Sequence, residues 1–378
     1  MGRRKRTTLE NRAGASAGGF ARNDYEVEVA PGLEQVTRQE LQQILGRQLS
    51  QLSTQDEQAG SGVISFTCRS SNGGELERIL QLNTVFNAYR VLTFPIARPK
   101  GLLAHAHLGR LVDTIRQLQR RFPPGYFTNF GINAAGAESL VFRQLAVQLA
   151  GELALPFSTD ENDLLLRVRP TPAAHARADT EWQVLIRLSS RPLSVRAWRV
   201  ADMKGALNAA VAHAMVRLTH PQTTDKFLNL TCGSGTLLVE RLLATPARRV
   251  IGCDIDAGAL QYAEANLRAA GVHDVVELYD WDARALNLPD HSVDAICADL
   301  PFGIAVGAHA TNVSTYPAIL QEAARVIKPK GYCVLMTQEV NLLETLLAQN
   351  TAWNIVEQMR VTLRGLYPRI YVLQRSIQ

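Results

Sequence analysis

The chain has 378 residues, 46% of them hydrophobic and 20% charged, and carries a net charge of +5. That content is enough for two or three packed domains and excludes a largely disordered chain. A pI near 9.0 is compatible with an anionic partner but identifies none.

The five cysteines are odd in number and form no CxxC pair. Four lie in or beside apolar, strand-like runs, so we expect buried reduced thiols, no metal, no disulfide framework and a cytoplasmic location. No apolar run approaches the roughly 20 residues of a membrane span, so no membrane association is expected.

Residues 1–24 begin with four consecutive basic residues, Arg3 to Arg6, and no apolar segment follows them. They read as a disordered basic tail rather than a secretory signal. In "YEVEVAPGLEQVTRQELQQIL", Tyr25, Val27 and Val29 alternate as in a strand, Pro31-Gly32 breaks the pattern, and Leu33 to Leu45 has helical spacing. A second strand, "GVISFTCR", and a helix running into a third strand complete a small α+β module over residues 25–98.

Pro99-Lys100-Gly101 marks a break. A helix from Leu108 to Phe122, a strand, the helix "ESLVFRQLAVQLAGEL" and two strands (Asp163–Pro170 and Trp182–Ser190) then form a second α+β module over 99–190, followed by a linker over 191–205. Alternation puts Arg167 and Arg169 on one strand face. With Arg143, Arg196 and Arg199 they form the candidate phosphate-contacting set.

From residue 206 to 378, short strands that are apolar on both faces alternate with helices. This is the pattern of a doubly wound, mostly parallel sheet, whose ligands bind at the carboxyl ends of the strands. The first strand leads into "TCGSGT", where Gly233-Ser234-Gly235 frees helix N–H groups for a ligand. The third position of a dinucleotide fingerprint is Leu238, and no Walker sequence is present, so the Gly loop alone reads equally as a tight turn.

Asp254 ends the next strand about twenty residues on, where a carboxylate can accept ribose hydroxyls, with Ile255 beside it. Asp256 is expected to cap the following helix. In "YDWDA", Asp282 can accept from an adenine amino group and the Ala283 backbone can meet a ring nitrogen. Together these features describe an adenosine cofactor without a pyrophosphate, which suits S-adenosylmethionine better than NAD.

"CADLPFG" then places Asp299 at the fourth strand end. Asp299 and the Leu300 carbonyl can hold the N–H groups of an amine and aim its lone pair at a methyl group, while Pro301 shapes the turn and Phe302 offers a stacking face.

On "CGSG" and "DLPFG", the chain resembles the THUMP-domain family of tRNA guanosine-N2 methyltransferases, over nearly the whole ordered sequence. The resemblance implies an α/β chain with a Rossmann-fold methyltransferase domain at the C-terminus, preceded by ferredoxin-like and THUMP domains. It also implies tRNA as partner, S-adenosylmethionine as cofactor, and a guanosine N2 in or near the acceptor stem as target. A monomer is expected, with an activating protein subunit left open.

The linker "RAWRVADMKGAL" is similar to the family's and would bring Lys204, Ala206 and Leu207 beside the cofactor. Asn229 and Thr231 precede the Gly loop. Asn229 stands where the family has Asp and would meet the methionine amino group. Leu300 stands where the family often has Pro. The alternatives are an N-methyltransferase acting on DNA adenine or protein glutamine, and a catalytically weak RNA-binding protein.

Overall fold

A computed structural model describes residues 21–53, 61–70, 74–172, 180–302, 309–363 and 365–377. Nearly all of the basic tail, and Gly303 of the acceptor motif, lie outside them.

The two N-terminal modules share one sheet. Strands β1 (Ala21–Val29), β2 (Leu49–Leu52), β3 (Val63–Ser70) and β4 (Val85–Phe94) come from the first module. Strands β5 (Phe130–Ala134), β6 (Leu164–Pro170) and β7 (Trp182–Arg187) come from the second, and the order is β2-β3-β1-β4-β7-β6-β5. Antiparallel pairing of β4 with β7, from Tyr89↔Arg187 to Phe94↔Trp182, joins them.

Helices α1 (Glu34–Leu45), α2 (Gly74–Ile79), α3 (His105–Gln119) and α4 (Leu140–Leu153) cover one face. Their buried Leu41, Ile79, Ile115 and Leu149 pack on Val27, Ile64, Ala88, Leu166 and Ile186.

The opposite face is polar, and here one expectation is corrected. Arg167 and Arg169 do share a face, but both are partly buried and engaged. Arg167 pairs with Glu28, and Arg169 pairs with Glu26 and bonds Gln183 Oε1. Strand β1, separated from β6 by β4 and β7 in the sheet order, thus supplies counter-charges across this face. Arg143, on α4, is exposed.

The second sheet has the order β10-β9-β8-β11-β12-β14-β13. Strands β8 (Lys226–Asn229), β9 (Arg249–Asp254), β10 (Val276–Asp280), β11 (Val293–Asp299) and β12 (Ile327–Thr337) are parallel. Strands β13 (Trp353–Arg360) and β14 (Arg369–Arg375) close one side antiparallel. The N-terminal module reaches into this domain: Ala30, Leu33 and Val36 are buried in one apolar cluster with Val211, Met215 and Val361. All five cysteines are buried and unbridged, as expected.

A buried polar cluster locks the same boundary. Glu240, on α6 (Thr236–Ala244), accepts from Arg196 Nε at 2.8 Å and faces His213 Nδ1 at 2.8 Å. His213, on α5 (Ala209–Arg217), has its Nε2 3.5 Å from Glu40 of α1. Glu40 accepts from the Asn83 and Thr84 amides at 3.0 Å each. Arg196 also donates to the Asn83 carbonyl at 2.7 Å.

This corrects the expectation for Arg196, which is turned inward as a strut between modules. Removing it as Arg196→Ala leaves the fully buried Glu240 carboxyl with His213 as its remaining partner among the described residues. We expect a loss of about 3 kcal/mol, read as a lower urea midpoint at unchanged slope.

Candidate active site

Strands β8 and β11 are neighbours, with β9 and β10 continuing to one side and β12 to the other. The chain order reverses between them, so their carboxyl ends open a crevice. A cavity of about 420 Å³ fills it, within the usual range for small-ligand sites.

Its wall contains Ala206, Leu207, Thr231, Gly233, Ser234, Asp254, Ile255, Asp282, Ala283 and Asp299 to Phe302. The motifs read as separate strand ends are therefore one site. Asn229 and Gly235 stand outside that wall and shape it from behind.

Gly235 caps α6 with φ +81°, a left-handed conformation that suits glycine. A Cβ there would lie 3.2 Å from the Ala263 Cβ of α7 (Ala257–Ala269). The absence of a third fingerprint glycine also has an explanation. Leu238 packs over Gly252 of β9, where an added Cβ would come within 2.5 Å of the Leu238 side chain. The small residue that permits helix–strand approach stands on the strand instead of the helix.

Asp254 holds the loop. Its Oδ2 accepts from the Gly233 amide at 2.8 Å and its Oδ1 from the Asp256 amide at 3.0 Å. Asp256 caps α7 by accepting from Gly258 N at 2.8 Å, as expected.

Asp282 lies two residues past the end of β10 rather than on it, after Trp281, which stacks on Tyr279 at 4.0 Å. Its carboxylate pairs with Arg284 at 2.6 Å, and hydrogen bonds from Arg284 hold it below the usual carboxylate range. Asn229 is buried; its Oδ1 lies 3.3 Å from Thr231 N, and its Nδ2 has no partner.

Arg199 is also not an RNA-facing group. It donates to the Leu207 carbonyl at 2.6 Å and to Thr236 Oγ1 at 2.8 Å, tying the linker to the first residue of α6. Asn266, fully buried, accepts from the Val200 and Ala201 amides and donates to the Ser234 carbonyl.

At the end of β11 the Asp299 carbonyl accepts from Thr231 Oγ1 at 2.9 Å, and the Leu300 amide donates to the Met336 carbonyl of β12 at 2.9 Å. A proline at 300 could not make that second bond. Asp299 Oδ1 is buried and unpartnered, and burial pushes the carboxyl up to about 8. Among the described residues, none donates to the Leu300 carbonyl. Two acceptors thus face the cavity side by side without donors.

The cavity wall carries four carboxyls, Asp254, Asp256, Asp282 and Asp299, against Lys204 and Arg284. Arg284 is already neutralised by Asp282. This balance suits a cationic adenosine ligand such as S-adenosylmethionine and disfavours a pyrophosphate. Among the described residues there is no cluster of metal-ligating side chains, and no helix is long and apolar enough to cross a membrane.

Residues 196–369 match the family model described as UPF0020, RMKL-like, methyltransferase domain. The mouse protein named tRNA (guanine(6)-N(2))-methyltransferase THUMP3 is 30% identical over 185 residues, 46% of this chain and 37% of that relative. The chain therefore aligns with little more than a third of it.

A Methanocaldococcus jannaschii protein named tRNA (guanine(6)-N2)-methyltransferase is 21% identical over 93% of this chain and 99% of its own. The crystal structure of TrmN from Thermus thermophilus superposes with a TM-score of 0.73 at 23% identity, covering 93% of this chain and 99% of that one. The fold, with its Rossmann-like methyltransferase domain, is shared across both halves.

Sequence reasoning missed Trp281 and the α8 side of the cavity: Thr311, Asn312, Thr315 and Ile319. Helix α8 runs from His309 to Val326 with Pro317 inside it. Thr311 and Thr315, four apart on that first part of the helix, were the available signal.

The raised Asp299 pKa has a sign that can be tested. Between pH of about 4 and 8 the unfolded chain has released a proton that the folded one still holds, so stability falls as pH rises through that interval. Asp299→Asn removes the dependence. We expect the variant to be more stable than wild type at pH 8.5, by on the order of 1–3 kcal/mol, and the difference to vanish near pH 4 in thermal melts.

Proposed function

We propose that the protein transfers a methyl group from S-adenosylmethionine to the exocyclic N2 of a guanosine in tRNA, in or near the acceptor stem, in the cytoplasm. The observation that carries this reading is a pair of acceptors at the end of β11, Asp299 Oδ1 and the Leu300 carbonyl, to which none of the described residues donates. An exocyclic amino group has two N–H bonds and a lone pair delocalised into its ring. Two acceptors, one per N–H, hold the nitrogen and favour the geometry in which its lone pair is free. The names of the mouse and archaeal relatives support guanine N2 as that amine.

S-adenosylmethionine supplies an electrophilic methyl group when bound. Asp254 and Asp282 are the carboxylates that would hold its ribose and adenine, and the Gly233–Gly235 loop lets the backbone approach it. Asn229, behind the cavity wall, accepts from the Thr231 amide at 3.3 Å, so in this reading it supports the Gly loop from behind.

In its ionised form, which the positive charge of bound S-adenosylmethionine favours, Asp299 accepts one amino N–H and then takes the proton that the methylated amine releases. Phe302, half-buried at the cavity, provides the ring face for a base turned out of its stack. The N-terminal sheet and its helices serve as the THUMP-type tRNA-binding part. In this reading Arg143 is a phosphate contact, whereas Arg167 and Arg169 shape the sheet face.

Incubation of unmodified tRNA with the protein and methyl-labelled S-adenosylmethionine, followed by nucleoside mass spectrometry, is expected to give N2-methylguanosine. Label on adenosine, or cofactor binding with no transfer to tRNA, would overturn the reading. Asp299→Ala is expected to lower turnover at least 100-fold while tRNA affinity changes less than about twofold. Arg143→Ala is expected to weaken tRNA binding and lower the slope of log affinity against log salt by about one.

A further inference from the structure

The acceptor loop carries Leu300 at a position where a second proline ring would stiffen the turn. The structure supplies stiffness by another route. The Pro301 carbonyl accepts two hydrogen bonds, from Asn312 Nδ2 at 3.0 Å and from Tyr316 Oη at 2.7 Å. Both donors lie on α8, four residues apart, and both are buried, 1% and 0% exposed.

Tyr316 Oη is also 2.7 Å from Thr337 Oγ1, the last residue of β12, and Thr337 Oγ1 accepts from the Glu339 amide at 2.9 Å. A tyrosine has one hydroxyl proton, and here it goes to Pro301. Thr337 must then donate to Tyr316. The directions are fixed along the whole chain, from the Glu339 amide to Thr337, to Tyr316, to the Pro301 carbonyl. Such a chain strengthens each of its bonds.

The loop backbone is thus held on both sides of Leu300. The Asp299 carbonyl is taken by Thr231, the Leu300 amide by Met336 and the Pro301 carbonyl by α8. The Leu300 carbonyl lies between these anchored groups, and none of the described residues donates to it.

We propose that Asn312 and Tyr316 are positioning residues for the amine acceptor: through the Pro301 carbonyl they set the orientation of the Leu300 carbonyl and the Phe302 ring. This rests on the methyl-transfer reading above. Neither residue needs to touch cofactor or base to act. A loop free to rotate about the Leu300–Pro301 segment would still bind both, but would present the nitrogen off line, and a misplacement of about 1 Å costs roughly 100-fold in rate.

The test uses the full chain with Tyr316→Phe, which removes one hydroxyl, and Thr337→Val and Thr337→Ser, which remove and keep the hydroxyl behind it. Turnover on tRNA and hydrogen exchange of the Leu300 and Phe302 amides in the ligand-free protein are both measured. Tyr316→Phe and Thr337→Val are expected to lower kcat about 10- to 100-fold, to leave the S-adenosylmethionine Kd within about twofold, and to speed exchange at the loop. Thr337→Ser is expected to behave as wild type.

Unchanged kcat with faster exchange would make the clamp merely structural and overturn the proposal. So would a lower kcat with unchanged exchange, which would make Tyr316 a direct participant. If the wild type transfers no methyl to tRNA, the methyl-transfer reading fails by itself, and unchanged exchange in the variants then overturns the clamp independently.

Discussion

Asp299 Oδ1 has no donor among the described residues, and leaving a buried acceptor unpaired costs on the order of 1–3 kcal/mol. The surrounding structure is arranged to hold that group in place. Apolar residues on both faces of β11 keep the strand central: Ala295 and Cys297 pack with one cluster, Ile296 and Ala298 with another. Thr231 fixes its carbonyl from β8, and β12 takes the next amide. Strain stored at a site and offset by the surrounding core is a common feature of catalytic centres.

The second constraint is the boundary between the modules. The linker is fastened at two points near its middle, by Arg196 to Glu240 and by Arg199 to Thr236. Glu240 and Thr236 belong to the same helix, α6, which begins at the Gly loop. Glu40 and the Asn83–Thr84 turn meet the catalytic domain at the other end of the same cluster. The N-terminal sheet therefore has one orientation relative to the cavity. In the proposed reading, that fixed offset sets which base of a bound tRNA can reach the cavity.

Three strand ends were legible in the sequence because the runs of β9, β10 and β11 each stop at an aspartate. Residues Asp254, Asp299 and the Gly loop, far apart in sequence, needed only the rule that parallel strands open their carboxyl ends on a common crevice. The fate of the arginines was not legible. Alternation correctly set Arg167 and Arg169 on one face, but their partners Glu26 and Glu28 lie on β1, some 140 residues earlier, and strand order decides that pairing.

The same holds for Arg196, His213, Glu240 and Glu40, none of which has a local pattern. The start of α8 was hidden by Pro317, since a proline inside a helix reads locally as a boundary. The meaning of Leu300 changed for a related reason: its main-chain N–H, invisible in residue type, extends the β11–β12 ladder by one bond.

The central claim is that the acceptor is an exocyclic amine held by two oxygens. The most direct measurement is single-turnover methyl transfer to a tRNA whose accepting guanosine is replaced by inosine, which keeps every ring atom and lacks only the 2-amino group. The account predicts unchanged tRNA affinity and no transfer. Methylation of the inosine-containing tRNA at the wild-type rate would contradict it, because the methyl would then be reaching an atom that Asp299 and the Leu300 carbonyl do not hold.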